Sequence, residues 1–293
     1  MTLAQMWRLS RPGTLLASIS PVLVGTLAGW NRAAVCWPLA LLMLLVALAL
    51  QSATNMANEY CDFVRGIDDA GSLGIGGVLV SGELRPGAVH RLALLMYALA
   101  FVGGLGLAYA RGWIVLALGL GGIAVSYLYS AGPLPIAATP WGEVAVGLLM
   151  GPLEVMAAEI AAIGSVSWLG LLVSIPVACS VSAILLGNNL RDRIRDAAGG
   201  RKTLAVLLGP GAARYFLAAL VGAVFVWCSA LALLGWLPPG VLLTALALPV
   251  GWSILKRAGS PKRLERIVPA LGRFHLLVGV LLGAGLVLAR MGR

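Results

Sequence analysis

The chain has 293 residues, 60% of them hydrophobic and 11% charged, with a net charge of +10 at pH 7 and a mean hydropathy of +0.96. Soluble domains carry roughly 25% charged residues, so this composition excludes a soluble enzyme, a disordered chain and a single-anchor protein, and indicates a polytopic membrane protein. The positive charge does not imply a nucleic-acid partner, because there is no separate basic domain and Lys and Arg collect on the cytoplasmic side of membrane proteins.

Crossing a hydrocarbon layer of about 30 Å takes about 20 helical residues. Apolar runs of that kind recur nine times, at 13–31, 36–58, 88–109, 113–130, 142–163, 168–189, 212–235, 239–256 and 270–289. The expected fold is all-α, one integral-membrane domain over residues 1–293 with about nine transmembrane helices. Arg8 and Arg11 precede the first run without a small-residue cleavage site, so it reads as a retained span and not a signal peptide. The connections 59–87 and 190–211 are long and polar, and 257–269 is basic. With the N-terminus inside, all of the 21 Lys and Arg except Arg32, Arg111, Arg290 and Arg293 fall on the cytoplasmic side. Trp30, Trp37, Trp113, Trp168 and Trp236 fall at the outer helix ends, as an interfacial belt requires. Cys36, Cys61, Cys179 and Cys228 form no CxxC pair, so neither a zinc knuckle nor a disulfide framework is implied.

Only eleven residues are Asp or Glu, and six of them sit where two apolar runs emerge on the cytoplasmic side. Glu59, Asp62, Asp68 and Asp69 lie in residues 55–69, and Asp192 and Asp196 in residues 188–196. If the helices continue, Asn55, Asn58 and Asp62 share one face, and so do Asn188, Asp192 and Asp196. The pairs Asn58/Asp62 and Asn188/Asp192 match in spacing and helix position, which suggests that the second and sixth spans play equivalent parts. Facing carboxylate and amide oxygens suit a hard cation such as Mg2+, which binds through a few carboxylates plus substrate phosphates. Arg65, Arg191, Arg193, Arg195, Arg201 and Lys202 surround the same clusters and supply positive charge for a polyanion. Together these features describe a diphosphate on a lipid tail. The alternatives are solvated helix ends and a cation-coupled transporter, although transport sites lie near the bilayer midplane.

At these residues the chain resembles the UbiA superfamily of intramembrane prenyltransferases, and within it the MenA branch, the 1,4-dihydroxy-2-naphthoate polyprenyltransferases. The resemblance rests on Arg11-Pro12-Gly13-Thr14 with Pro21, on Asn58-Glu59-Tyr60-Cys61-Asp62 through Asp68, and on Gly77-Val78-Leu79-Val80-Ser81-Gly82. It extends through Tyr129-Ser130-Ala131-Gly132-Pro133-Leu134-Pro135 with Gly142-Glu143, Asn189-Leu190-Arg191-Asp192, and Gly200-Arg201-Lys202-Thr203-Leu204-Ala205, with a weaker echo at Phe274-His275.

The resemblance implies nine spans around a central cavity, two Asp-rich motifs facing each other at its cytoplasmic mouth, and Mg2+-dependent transfer of a polyprenyl group to an aromatic acceptor. It assigns Asn58, Asp62 and Asp68 to the first motif and Asp192 and Asp196 to the second, with Asn55 and Asn189 beside them. Two Mg2+ ions are expected to bridge these residues to the diphosphate. Arg65, Arg191, Arg201 and Lys202 are the candidates to complete the clamp, with Arg65 preferred, while Arg193 and Arg195 are expected to face water or headgroups. Tyr60, Tyr127 and Tyr129 are candidates to face an allylic cation. The expected setting is a bacterial plasma membrane.

Several positions depart from the family pattern. Glu59 stands where Asp is common, and the Tyr-x-x-x-Lys element after the fourth span has no lysine. Glu154 and Glu159 place two acids in the fifth span, where either could shape the acceptor pocket. His90 and His275 read as structural, and residues 71–77 as a glycine-rich loop able to close over the site. The resemblance implies 1,4-dihydroxy-2-naphthoate as the acceptor, prenylated with decarboxylation in menaquinone biosynthesis, with 4-hydroxybenzoate, a haem, a chlorophyllide and a glycerol-phosphate lipid as the alternatives.

Overall fold

Apolar runs separated by Gly, Pro and Trp breaks become an antiparallel helical bundle in the computed structural model, which describes residues 2–68 and 77–292. A short amphipathic helix, α1 (Leu3–Ser10), is held by a capping box between Thr2 and Gln5. At eight residues it is too short to register as a span. Arg11 adopts a left-handed conformation (φ 50°) and turns the chain into α2 (Pro12–Trp30). Then follow α3 (Trp37–Val64), α4 (Pro86–Arg111) and α5 (Trp113–Ser130). The fifth span is composite: α6 (Gly142–Leu148), a π-turn at Leu149–Leu153 and α7 (Glu154–Ile163). The remainder is α8 (Trp168–Ala198), α9 (Leu204–Leu233), a 3-10 segment (Pro239–Ala247), α10 (Leu248–Ala258), α11 (Pro261–Leu264) and α12 (Ile267–Met291).

Among the described residues nine helical spans are long and apolar enough to cross a membrane, each overlapping one expected run. The edges differ for physical reasons. Helices α3 and α8 continue to Val64 and Ala198 because their Asn and Asp residues change one face of the helix without interrupting its backbone. Helix α9 starts at Leu204, and a break at Gly209 (φ 72°) interrupts it. The residue before a proline disfavours the helical region, and Gly209 precedes Pro210. Most of the glycine-rich loop at 71–77, together with Asp69, lies outside the described residues.

Packing relies on small residues, as it does where lipid removes the hydrophobic drive between helices. A Cβ on Gly25 of α2 would fall 2.2 Å from the Val155 carbonyl oxygen of α7, so this crossing admits only glycine. The largest core joins α8, α9 and α12 through Leu186, Leu217, Leu271 and Phe274. A second core locks α3 to α4 through Met56, Val89 and Tyr97. Between these packed halves, α2, α3, α5, the composite fifth span and α8 leave a cavity of about 670 Å³.

Candidate active site

Two helices furnish most of the polar lining of the cavity. Helix α3 contributes Gln51, Asn55, Asn58 and Asp62, spaced i, i+4, i+7 and i+11 and therefore on one face. Asn55 donates to the Ser10 carbonyl and to Thr14 Oγ1, both at 2.8 Å, which ties α3 to the α1–α2 turn. That turn delivers Arg11, whose Nη1 donates to Asn58 Oδ1 at 3.1 Å. Asn58 Nδ2 in turn donates to Asp62 Oδ2 at 3.3 Å. Helix α8 contributes Asn188, Asn189, Asp192 and Asp196 at the mouth and apolar Val181, Ile184 and Leu185 deeper down. Asn189 is fixed by donating to Glu143 Oε1 at 2.9 Å.

The two motifs meet at Arg201. Its Nη2 binds Asp62 of α3, and its Nη1 reaches Asp196 Oδ1 of α8 at 3.3 Å. One planar guanidinium thus spans both motifs. Burial works against the charge on Arg201, but the Asp62 and Asp196 carboxylates outweigh it and hold its pKa above the ordinary value. Asp68, at the mouth beside Asp62, has its pKa raised first by burial and then by the neighbouring negative charge of Asp62. Arg191 chelates Asp192 through Nε at 2.8 Å and Nη2 at 2.5 Å, and Nη2 also donates to Asn188 Oδ1 at 2.8 Å.

Among the described residues no three acidic side chains converge into a ready cation cage. The acids are instead neutralised by arginines. Two guanidinium nitrogens of this cavity, Arg11 Nε and Arg201 Nε, are buried without a hydrogen-bond partner among the described residues. Leaving such donors unpaired is costly, and phosphate oxygens are their natural complement.

Of the residues singled out from the sequence, Asn55, Asn58, Asp62, Asp68, Tyr129, Glu154, Asn189, Arg191, Asp192, Asp196 and Arg201 line this one cavity. Four do not. Arg65 turns away and donates to the carbonyls of Ser130 at 2.6 Å and Gly132 at 2.8 Å, fastening the end of α5. Lys202 has an exposed side chain, and its backbone N–H donates to the Ala138 carbonyl. Tyr60 stacks on His90 with ring centroids 4.5 Å apart, and Tyr127 packs edge-on against Tyr97. Arg195, expected to face water or headgroups, lines the cavity.

Glu159 belongs to the far end of the bundle. It accepts from Ser167 Oγ at 2.5 Å and from the Ser167 N–H at 3.1 Å, beside the start of α8. The structure also explains Glu59: its longer reach lets Oε1 accept from the backbone N–H groups of Val78 and Leu79. Oε2 of the same carboxylate lies 3.6 Å from Arg11. Sequence reasoning missed Arg11 and Gln51 as lining residues. The left-handed Arg11 has no local signal, whereas Gln51 could have been found as the i−4 neighbour of Asn55. His275 is buried, with Nδ1 2.8 Å from Ser180 Oγ, and is structural as expected.

The sequence profile of the UbiA prenyltransferase family matches residues 18–289. The chain belongs to the UbiA prenyltransferase family. It is therefore an integral-membrane prenyltransferase, and the transporter alternative falls away. The 1,4-dihydroxy-2-naphthoate octaprenyltransferase of Bacillus subtilis is 37% identical over 97% of this chain and 92% of its own length. Among solved structures, a UbiA homologue from Aeropyrum pernix has a TM-score of 0.70 at 20% identity, covering 94% of this chain and 97% of its own. A UbiA homologue from Archaeoglobus fulgidus, solved bound to DMAPP and Mg2+, has a TM-score of 0.65 at 19% identity, covering 95% of this chain and 98% of its own. Both share the fold of this UbiA prenyltransferase.

Proposed function

We propose that this prenyltransferase moves a polyprenyl group from its diphosphate to 1,4-dihydroxy-2-naphthoate, with loss of the acceptor's carboxylate, as a step of menaquinone formation. The observation that carries the reading is the Asp62–Arg201–Asp196 bridge across the mouth of a cavity whose α8 wall is apolar. The name of the Bacillus relative supports the acceptor, and the DMAPP and Mg2+ bound to the Archaeoglobus homologue support the donor and the metal. The distribution of Lys and Arg supports a mouth on the cytoplasmic face, and the bacterial relative supports a bacterial plasma membrane.

The donor set fits Mg2+. Asn58, Asp62, Asp68, Asp192 and Asp196 offer only oxygen, the ligand atom of a hard cation. These residues would hold two ions, which when bound neutralise the charge that grows on the diphosphate leaving group. The chain's own part begins with Arg11 and Arg201, whose unpartnered Nε–H groups take phosphate oxygens as the polyanion displaces carboxylates from the guanidinium. Arg191 holds Asp192 and adds positive charge on the α8 side. The prenyl C–O bond breaks with its electron pair leaving on the diphosphate. Val181, Ile184 and Leu185 keep water from the allylic cation, and Tyr129 offers it a ring face. The π electrons at the carboxylate-bearing ring carbon form the new C–C bond. The C–carboxylate bond then breaks, its pair restores the aromatic ring, and CO2 leaves.

The test is an acceptor panel with purified protein, a polyprenyl diphosphate, Mg2+ and mass detection. A prenylated naphthalenediol with release of CO2 is expected. Turnover with 4-hydroxybenzoate, a haem, a chlorophyllide or a glycerol-phosphate lipid in its place would overturn the acceptor assignment.

A further inference from the structure

The four glutamates within the spans are Glu59, Glu143, Glu154 and Glu159, and three of them hold a firm hydrogen-bond donor on one oxygen or both. Glu59 accepts from Val78 and Leu79, Glu143 from Asn189, and Glu159 from Ser167. Glu154 differs. Among the described residues its carboxyl has no hydrogen-bond partner other than the Ser18 hydroxyl, and it lines the cavity. An ionisable group inside a span is expensive and is retained for a purpose.

Local backbone aims it there. Glu154 is the first residue of α7, directly after the π-turn Leu149–Leu153 that contains Pro152. Pro152 has no N–H and crowds the preceding turn. The widened π-turn that results shifts the face on which the following side chains emerge, a device common at functional sites.

The polar floor around Glu154 is short of donors. A serine hydroxyl carries one hydrogen, and Ser18 Oγ already lies 3.4 Å from Gln51 Oε1 as its donor. Gln51 directs its own Nε2 up the wall to Asn55 Oδ1, also at 3.4 Å. Counting one hydrogen on Ser18 and, on a neutral carboxyl, one on Glu154, the floor presents the two Glu154 oxygens and Gln51 Oε1 against at most two hydrogens. A ligand completes it by bringing an O–H. An isoprenoid tail and an ionised diphosphate have none.

We infer that Glu154, with Gln51 and Ser18, is the acceptor-hydroxyl subsite: it receives the hydroxyl of the aromatic acceptor that is not adjacent to the carboxylate. This rests on the proposed aromatic acceptor and deepens it. Gln51 lies eleven residues before Asp62 on α3, about 16 Å along the helix axis at 1.5 Å per residue, which leaves room for a diphosphate above a ring. With one hydroxyl on Glu154, the acceptor's carboxylate points away from the acid and toward Arg11 and Arg201. The carboxylate-bearing carbon, where the new bond forms, then faces the prenyl group. Glu154 thus sets acceptor orientation and specificity.

The experiment compares 1,4-dihydroxy-2-naphthoate with its methyl ether at that hydroxyl, in the wild type and in Glu154→Leu, Glu154→Gln and Gln51→Leu. In the wild type the ether is expected to lower kcat/KM about 10- to 100-fold, since it leaves buried acceptors unpaired. Glu154→Leu should lower kcat/KM for the parent acceptor by a similar factor and shrink the preference over the ether to about threefold or less. Glu154→Gln, whose carbonyl still accepts, should keep most of the preference. Gln51→Leu should reduce it in the same direction by less and tests the subsite independently should Glu154→Leu not fold. In every variant KM for the prenyl diphosphate should stay within about twofold. An unchanged preference in Glu154→Leu or in Gln51→Leu, or an equal rise in KM for both substrates, would overturn the subsite while leaving the proposed reaction intact. Should the acceptor panel identify another hydroxyaromatic compound, the naphthoate reading fails, and that compound and its methyl ether test the subsite in the same way.

Discussion

Helices α3 and α8 end alike and differ below. At the mouth each presents an Asn and an Asp four residues apart, Asn58/Asp62 and Asn188/Asp192, and Arg201 joins Asp62 of the first helix to Asp196 of the second. Further into the membrane α3 stays polar through Asn55 and Gln51, whereas α8 turns apolar at Leu185, Ile184 and Val181. The shared ends suit the one symmetric component of the reaction, a diphosphate gripped from two sides. The unlike walls suit its two unlike organic parts, a hydroxylated ring along α3 and a hydrocarbon tail along α8. A pseudo-repeat is thus kept where the ligand is symmetric and lost where it is not.

The largest effects should come from breaking the shared ends. Asp62→Ala and Asp192→Ala should each lower kcat/KM about 10^3-fold in a prenyl-transfer assay on correctly inserted protein, the scale of losing an aligned electrostatic group at a developing charge. Near-normal turnover in either would contradict equivalent roles for the two helices. Arg201→Met should cost about 10^2-fold, and Arg201→Lys should recover only part of that because an ammonium cannot bridge two carboxylates in a fixed plane.

Sharpening the difference between the walls calls for a smaller change. Leu185→Asn, which puts an unpaired amide on the hydrocarbon side, should lower kcat/KM about tenfold for a long prenyl diphosphate. It should spare a five-carbon donor, and equal loss for both would refute the division of walls. Arg65→Ala removes two bonds from the carbonyls that end α5. It should lower the Tm by a few degrees, for a loss of about 1 kcal/mol, with KM for the diphosphate unchanged. A large rise in that KM would restore Arg65 to the clamp. Lys202→Ala should change activity by less than about twofold.

The nine spans and the two motifs were legible in the sequence because charge is scarce in it: an Asp or Asn ending an apolar run stands out, and its spacing gives its face. What was not legible depended on direction beyond a helix end or on neutral groups. As sequence, Arg65 looks better suited to phosphate than Arg201 because it lies within the first motif, yet the carbonyls of Ser130 and Gly132 claim it and the two motifs claim Arg201. Arg11 is one arginine among many, and its place at the mouth depends on a left-handed turn between α1 and α2. Gln51, uncharged inside an apolar run, is marked only by its place one turn before Asn55. Tyr60 and Tyr127 sit on helices that reach the site but on faces turned to His90 and Tyr97. Glu154 was visible as an anomaly, and its distinction from Glu159 required the Ser167 contacts that satisfy one acid and not the other.

The central claim is that the two matched helix ends hold a prenyl diphosphate together through a divalent ion. Calorimetric titration of purified protein with a non-cleavable prenyl thiodiphosphate, with and without Mg2+, in the wild type and in Asp62→Asn and Asp192→Asn, tests it most directly. Tight binding only in the presence of Mg2+, weakened at least tenfold by either substitution, is the predicted result. Equal affinity without the ion, or undiminished affinity in either variant, would contradict it.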